Sequence, residues 1–148
     1  MKIVVDTNIV FSAMLNPSAT IGQILIYGQR QFQFYAPNLV KEEIKRHRGK
    51  LIALAEHFDE STFEDIRDEV LSCLHFISEE QIPFDYWHNA IPIVRDTDMN
   101  DIAFVVLAEY LDARLWTGDK QLSAGLARRG FSRVITTNEL SAFQFPEE

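Results

Sequence analysis

The sequence predicts an α/β fold in a single domain over 1-148, core about 2-140, with a mostly parallel central sheet flanked by helices on both faces. Three observations predict it. Short apolar, β-branched runs alternate with helix-like stretches along the chain, the pattern that yields a parallel sheet covered on both sides. At 148 residues the chain has the length of one ordinary domain, long enough to bury roughly two-thirds of its unfolded surface without staples. No internal repeat, low-complexity tract or linker divides it, and 47% hydrophobic with 11% aromatic residues is a globular composition, not a disordered one.

The elements follow in order. Lys2 to Val5 is short, apolar and β-branched, as a buried parallel strand should be. Asn8 to Leu15 reads as a helix closed by Asn16-Pro17, and Ile21 to Gly28 as another. Phe32 to Tyr35 alternates as a second strand. Pro37-Asn38 then opens a helix through about Ala55, with proline near the start, where its missing N–H does no harm. Asp59 to Leu74 carries Phe63, Ile66, Val70 and Leu74 as a helical stripe. His75 to Ile77 reads as a short strand, and residues 79 to 95 as helical with interruptions at Pro83 and Pro92. Asp101 to Leu111 is a helix, Ala113 to Thr117 a strand, and Lys120 to Arg129 a helix stopped by Gly130. Phe131 to Thr136 is the last strand, followed by a helical turn at Asn138 to Ala142.

Composition narrows the function. One cysteine, Cys73, rules out a disulfide within the chain and suits a reducing compartment; it reads as a small buried hydrophobe. The first apolar run ends at Asp6, too soon for a signal-peptide core, and the longest elsewhere, Ile102 to Ala108, falls short of the ~20 residues of a membrane span. The expectation is a soluble, cytoplasmic protein with no membrane partner. A net charge of −8 argues against a nucleic-acid binder that works by bulk charge. It leaves room for one that concentrates acids in a metal site and keeps bases at the rim.

Parallel sheets bind ligands beyond the carboxyl ends of their strands, so acids just after strands are the first candidates. Asp6 follows the first strand directly. Asp119 follows Leu115-Trp116-Thr117-Gly118, where Gly118 permits a tight turn. Asp101 heads a helix and lies above Val105 and Ala108 on the inward stripe. Glu43 falls within a stripe formed by Val40, Ile44, His47 and Leu51, with its neighbour Glu42 nearer the flank. Each has a plainer reading: helix caps for Asp101 and Asp119, a turn residue for Asp6, a surface acid for Glu43. Four acids at element ends or on inward stripes are harder to dismiss together. Carboxylates gathered without a cation repel one another. One or two Mg²⁺ or Mn²⁺ ions, which prefer oxygen ligands, would neutralise them and act on a phosphodiester. Asn8 and Thr117 are candidates for hydrogen bonds or outer-shell contacts.

Val4-Val5-Asp6-Thr7-Asn8, the helical Glu43-Ile44, Asp101 at a helix start and Trp116-Thr117-Gly118-Asp119 together resemble the acid pattern of PIN domains. The resemblance covers about residues 2 to 140. It implies a metal-dependent nuclease, many PIN domains being VapC-like toxins of bacterial toxin–antitoxin pairs. Carried over, Asp6, Glu43, Asp101 and Asp119 would be the catalytic, metal-binding acids, using Mg²⁺ or Mn²⁺ on an RNA substrate, with an antitoxin protein and a second copy of the chain as possible partners. Two departures matter. Glu42 competes with Glu43, and Asn100 stands where the family often has an acid, with Asp98 one turn back.

A basic cluster, Lys41, Lys45, Arg46, Arg48 and Lys50, with Lys120, Arg128, Arg129 and Arg133 later, reads either as a solvated face or as a phosphate-contacting rim, with Lys45, Arg46 and Lys120 as its RNA-contacting candidates. The cluster Phe84-Asp85-Tyr86-Trp87 reads as core packing before a lid or dimer face. A haloacid-dehalogenase-type phosphatase would need an aspartate where Asn8 stands. A receiver domain would need an early acid pair that is missing. The stronger rival is a PIN fold that is catalytically silent and serves only as a binding module for an antitoxin or an RNA-processing assembly.

Overall fold

A computed structural model of the chain describes residues 1–55 and 59–143. Five parallel strands lie in the order β3-β2-β1-β4-β5: β1 Lys2–Val5, β2 Gln33–Pro37, β3 His75–Ile77, β4 Arg114–Trp116 and β5 Val134–Ile135. Ile3, Val4 and Val5 have no exposure at all. Successive strand residues point to opposite faces, so both faces of β1 are covered.

Helices α1 (Thr7–Leu15) and α2 (Thr20–Tyr27) follow β1, and α3 (Leu39–Arg46), α4 (Arg48–Leu54) and α5 (Glu60–Ser72) follow β2. After β3 come α6 (Phe84–Val94) and α7 (Ile102–Leu111), then α8 (Lys120–Arg128) between β4 and β5 and α9 (Thr137–Ser141) last. Helix α7 packs against β1, β2 and β4. Its residues Ala103 to Ala108 are all buried, which is why it reads as apolar all round. No single helix among the described residues is long and apolar enough to cross a membrane.

The chain order reverses at the β1–β4 neighbour pair. Strands added before that point lie on one side of β1, and those added after it on the other. This is the switch point at which a doubly wound sheet leaves a crevice beyond its strand ends.

Several predicted boundaries change. The helix expected from Pro37-Asn38 to Ala55 is two helices, broken at His47, whose backbone (φ −101°, ψ 11°) leaves the helical region. Pro37 ends β2 instead of opening the helix. Leu39 N–H at the head of α3 donates to Glu79 Oε1 at 3.2 Å, and Asn38 makes no side-chain cap. Pro92 does not interrupt α6, which begins after Pro83 and runs through it to Val94. The last strand shrinks to two residues. Gly130 has φ +84°, the left-handed conformation that stops a helix, whereas Gly118 has no positive φ and needs no such freedom. The turn after β4 is made by hydrogen bonds instead.

The expectation of core packing for Phe84-Asp85-Tyr86-Trp87 fails for most of it. Helix α6 buries Ala90 and Val94, with Trp87 half-buried on the same stripe. Phe84, at the first position of the helix, is 74% exposed and stacks on His88. Tyr86 meets Tyr110 edge-on at 5.4 Å. Cys73 is buried as expected, with its Sγ donating to the Glu69 carbonyl at 3.4 Å.

Candidate functional site

A cleft of about 510 Å³ opens at the carboxyl end of β1, and Asp6, Glu43, Asp101 and Asp119 all line it. They come from four segments far apart in sequence, brought together by the switch point. The parallel register sets Val5 beside Trp116, so the next residues, Asp6 and Thr117, leave the sheet side by side.

Asp6 is the most buried of the four, at 5% exposure. Its N–H continues the ladder by donating to the Trp116 carbonyl at 3.1 Å. Thr117 Oγ1 donates to its Oδ2 at 2.7 Å, and Asn8 N–H to its Oδ1 at 3.3 Å. The second bond also makes Asp6 the N-cap of α1. Burial raises its pKa above the ordinary carboxylate value; the bonds from Thr117 and Asn8 pull it back, and Asp119 pushes it up again.

Glu43 sits on the buried stripe of α3 with Val40 and Ile44. Thr7 Oγ1 donates to its Oε1 at 3.2 Å. Burial raises its pKa first, the Thr7 bond opposes this, and Asp6 adds to it. Glu42 also borders the cleft, but its side chain is 69% exposed and pairs with Lys45 at 3.7 Å.

Asp101 ends the short 3-10 turn Met99–Asp101 that leads into α7, and its side chain makes no capping bond. Its pKa is pushed up to about 7, first by burial and then by Asp6, Asp98, Asp119 and Glu43. Four separate carboxylates act on this one group. Asp98 lines the same cleft while its Oδ1 accepts from Asn100 N–H at 2.9 Å. Asp119 stands at the head of α8, and its Oδ1 accepts from Gln121 and Leu122 N–H, both at 3.0 Å. Its own N–H donates to Thr117 Oγ1 at 3.1 Å, so Thr117 ties Asp6 to Asp119.

The donors are all hard oxygens, the set that divalent ions such as Mg²⁺ and Mn²⁺ prefer. Among the described residues, no three His, Cys, Asp or Glu side chains already stand as a ligand group for a metal ion. The acids line one cleft without closing on one point.

The basic candidates separate. Arg46 lines the acid cleft, and Lys120 lines a neighbouring cleft with Thr117, Gly118 and Thr137. Lys45 does not line the cleft and pairs with Glu42 at its border. Lys41 lies over the Phe76 ring at 4.2 Å, Arg48 pairs with Glu64, Arg129 with Asp96, and Arg133 with Asp112 and Glu109.

Thr7 is the participant that sequence reasoning passed over. It is 4% exposed and orients Glu43. A threonine at the first position of an apolar helix was the available signal, because a buried hydroxyl needs a partner.

A family model described as PIN domain matches residues 4–141. No curated protein sequence matches the chain significantly. Among solved structures, the fold is similar to a chain of VapBC2 from Rickettsia felis, crystallised bound to a DNA fragment from their promoter, with a TM-score of 0.64 at 15% identity, over 92% of this chain and 97% of that one.

Proposed function

This chain belongs to the PIN domain family, and from that premise we propose that it is a divalent-metal-dependent ribonuclease that hydrolyses RNA phosphodiester bonds in the acid-lined cleft. One observation carries the reading. Burial and four neighbouring carboxylates push Asp101 up to about 7, a repulsion that a bound cation relieves. Nothing about protein folding alone calls for that many acids in one cleft.

In this reading Asp6, Glu43, Asp101 and Asp119 hold the ion, which is Mg²⁺ or Mn²⁺. When bound, it supplies a water of lowered pKa and stabilises charge building on the phosphodiester. The chain's own residues do the positioning. Thr117 fixes Asp6 and the backbone of Asp119 through one hydroxyl, and Thr7 holds Glu43. Asn8 and Asp98 stand ready at the cleft wall. Arg46 supplies a cation on the same wall for the substrate backbone. That the nuclease is a toxin, with a protein antitoxin as partner in the cytoplasm, follows from the resemblance of its motifs to VapC-like PIN domains. A homodimer belongs to the same reading.

The test is cleavage of RNA by the full chain with Mg²⁺ and with Mn²⁺. Cleavage is expected with at least one ion, lost on chelation, and reduced about a hundredfold or more in kcat/KM by Asp6→Asn. The same ions should raise the melting temperature of the wild type. Full cleavage by Asp6→Asn would remove that residue from the site. A second reading is a silent binding module, favoured by the net charge of −8, since a protein partner needs no positive field. It predicts no cleavage with either ion and no metal-dependent melting shift.

A further inference from the structure

Asp6 and Asp119 are placed by the helices they open. Each carboxylate caps its own helix, α1 or α8, so formation of the helix fixes the acid. Glu43 stands one turn inside α3, where it caps nothing, and the Thr7 hydroxyl meets its carboxylate at 3.2 Å. Helix α3 has 8 residues and buries Val40 and Ile44. A helix that short is marginal by itself, so its orientation depends on what holds its first turn. Asn38, the residue before it, already has helical backbone angles (φ −58°, ψ −25°) and makes no side-chain cap; a capping side chain reaches the first turn from an extended backbone. The segment at the end of β3 takes that part. Glu79, first residue of the 3-10 turn Glu79–Gln81, accepts from Leu39 N–H through Oε1 at 3.2 Å. Asn38 N–H donates to the Ile77 carbonyl at 3.1 Å, and Lys41 lies over the Phe76 ring at 4.2 Å. Leu39 and Glu43 are four residues apart on one face of α3, and both line the acid cleft. The Glu79 bond therefore ends one helical turn from the Glu43 carboxylate.

We propose that Glu79 is a positioning residue for Glu43. By capping α3 from the edge strand of the sheet, it sets the rotation of that helix and keeps Glu43, and not its exposed neighbour Glu42, on the inward stripe. The inference rests on the metal-site reading of the acid cleft and deepens it. Two features favour this role over a cap that serves stability alone. A local cap at position 38 would stabilise the helix as well, without ordering a turn 40 residues further along the chain. A rotation of about 100°, one residue's step, exchanges Glu43 for Glu42, so this helix needs its phase fixed as well as its end capped. The ties from Asn38, Leu39 and Lys41 to Ile77, Glu79 and Phe76 supply that.

The experiment is calorimetric titration of the full chain with Mn²⁺, alongside melting curves. Glu79→Ala should weaken Mn²⁺ binding about tenfold, the size of a lost supporting contact, and Glu79→Gln, which keeps an oxygen to accept from Leu39 N–H, should stay within about twofold of wild type. Asp59→Ala is the control, because it removes a helix cap away from the cleft, the acceptor of Thr62 N–H on α5. Its melting temperature should fall about as much as that of Glu79→Ala, with Mn²⁺ affinity unmoved. The loss in Glu79→Ala should not exceed that in Glu43→Gln, the full effect of discharging that acid. Should Glu79→Ala not fold, Glu79→Asp, which withdraws the carboxylate by one methylene, takes its place with the same expected loss. Unchanged Mn²⁺ affinity, an equal loss in Asp59→Ala, no rescue by Glu79→Gln, or a loss beyond that of Glu43→Gln each overturns the positioning role and leaves the metal site standing. A wild type that binds no Mn²⁺ overturns the metal site and the inference together.

Discussion

Asp119 and Asp101 begin from the same sequence signature, an acid at the head of a helix, and end in different physical states. Asp119 accepts two backbone N–H bonds at the start of α8. Its presence would be explained if the cleft did not exist. Asp101 accepts no capping bond, is half-buried, and faces four other carboxylates. Helix formation gives no account of it. The contrast teaches that an acid at a helix start is informative in proportion to the hydrogen bonds it fails to make. One side of the cleft doubles as scaffold, while the α7 side bears the charge without structural return.

Asp101 gives the largest expected effect on stability. Its ordinary pKa of 3.8 rises to about 7 in the folded chain, so folding favours its protonated form. Below about pH 4 the residue is protonated in both states and costs nothing. As pH rises from about 4 through 7, the unfolded chain releases this proton more easily, and metal-free stability falls. The group is part-exposed and solvent screens it, so the loss is on the order of 2 kcal/mol, below the full value of the shift. Asp101→Asn should therefore melt roughly 4–8 °C above wild type at pH 8 without metal, and level with it at pH 4. Millimolar Mn²⁺ at pH 8 should close the gap by stabilising the wild type alone. Equal melting of the two proteins at pH 8 without metal would show that Asp101 is not under strain.

Asp119 gives a smaller effect of opposite sign. Asp119→Ala removes the acceptor for Gln121 and Leu122 N–H, at a cost of about 1 kcal/mol, or roughly 2–4 °C of melting temperature. Asp119→Asn keeps an acceptor and should hold the melting temperature near wild type. Both variants should lose cleavage, since neither offers a charged ligand. Thermal scans and cleavage assays on the pair separate scaffold from chemistry. If Asp119→Asn cleaves as well as wild type, capping is the residue's whole task.

These contrasts also mark what the sequence makes legible. The parallel sheet and the acids at its strand ends can be read because the signals are local: an apolar run that stops at Asp6, and Asp101 one and two turns before Val105 and Ala108, both fully buried. The break at His47 cannot be read, because neither histidine nor its neighbours Arg46 and Arg48 forbids a helix. Phe84 misleads because it stands at the very start of α6, whereas Trp87, Ala90 and Val94 further along the helix reach the core. Lys45 and Arg46 are one residue apart, yet only Arg46 reaches the cleft. One step on a helix rotates a side chain by about 100°, and sequence alone does not fix the phase.

The same ambiguity of phase sets the smallest expected effect, at Glu42 and Glu43. Glu42 makes an exposed pair with Lys45 at 3.7 Å, a contact worth little in water. Glu42→Gln should change stability by no more than about 0.5 kcal/mol and cleavage by no more than about twofold. Glu43 is held by Thr7 and raised by burial. Glu43→Gln retains an acceptor for the Thr7 hydroxyl and removes a charge that burial disfavours. It should leave the metal-free protein at pH 8 as stable as wild type or more so, while cleavage collapses. Thr7→Val, which keeps the shape and deletes the hydroxyl, should weaken cleavage less than Glu43→Gln does, because it frees the carboxylate without discharging it. Should Glu42→Gln be the variant that stops cleavage, the rotation of α3 about its axis places the wrong acid in the cleft, and the Thr7 bond becomes a structural contact only.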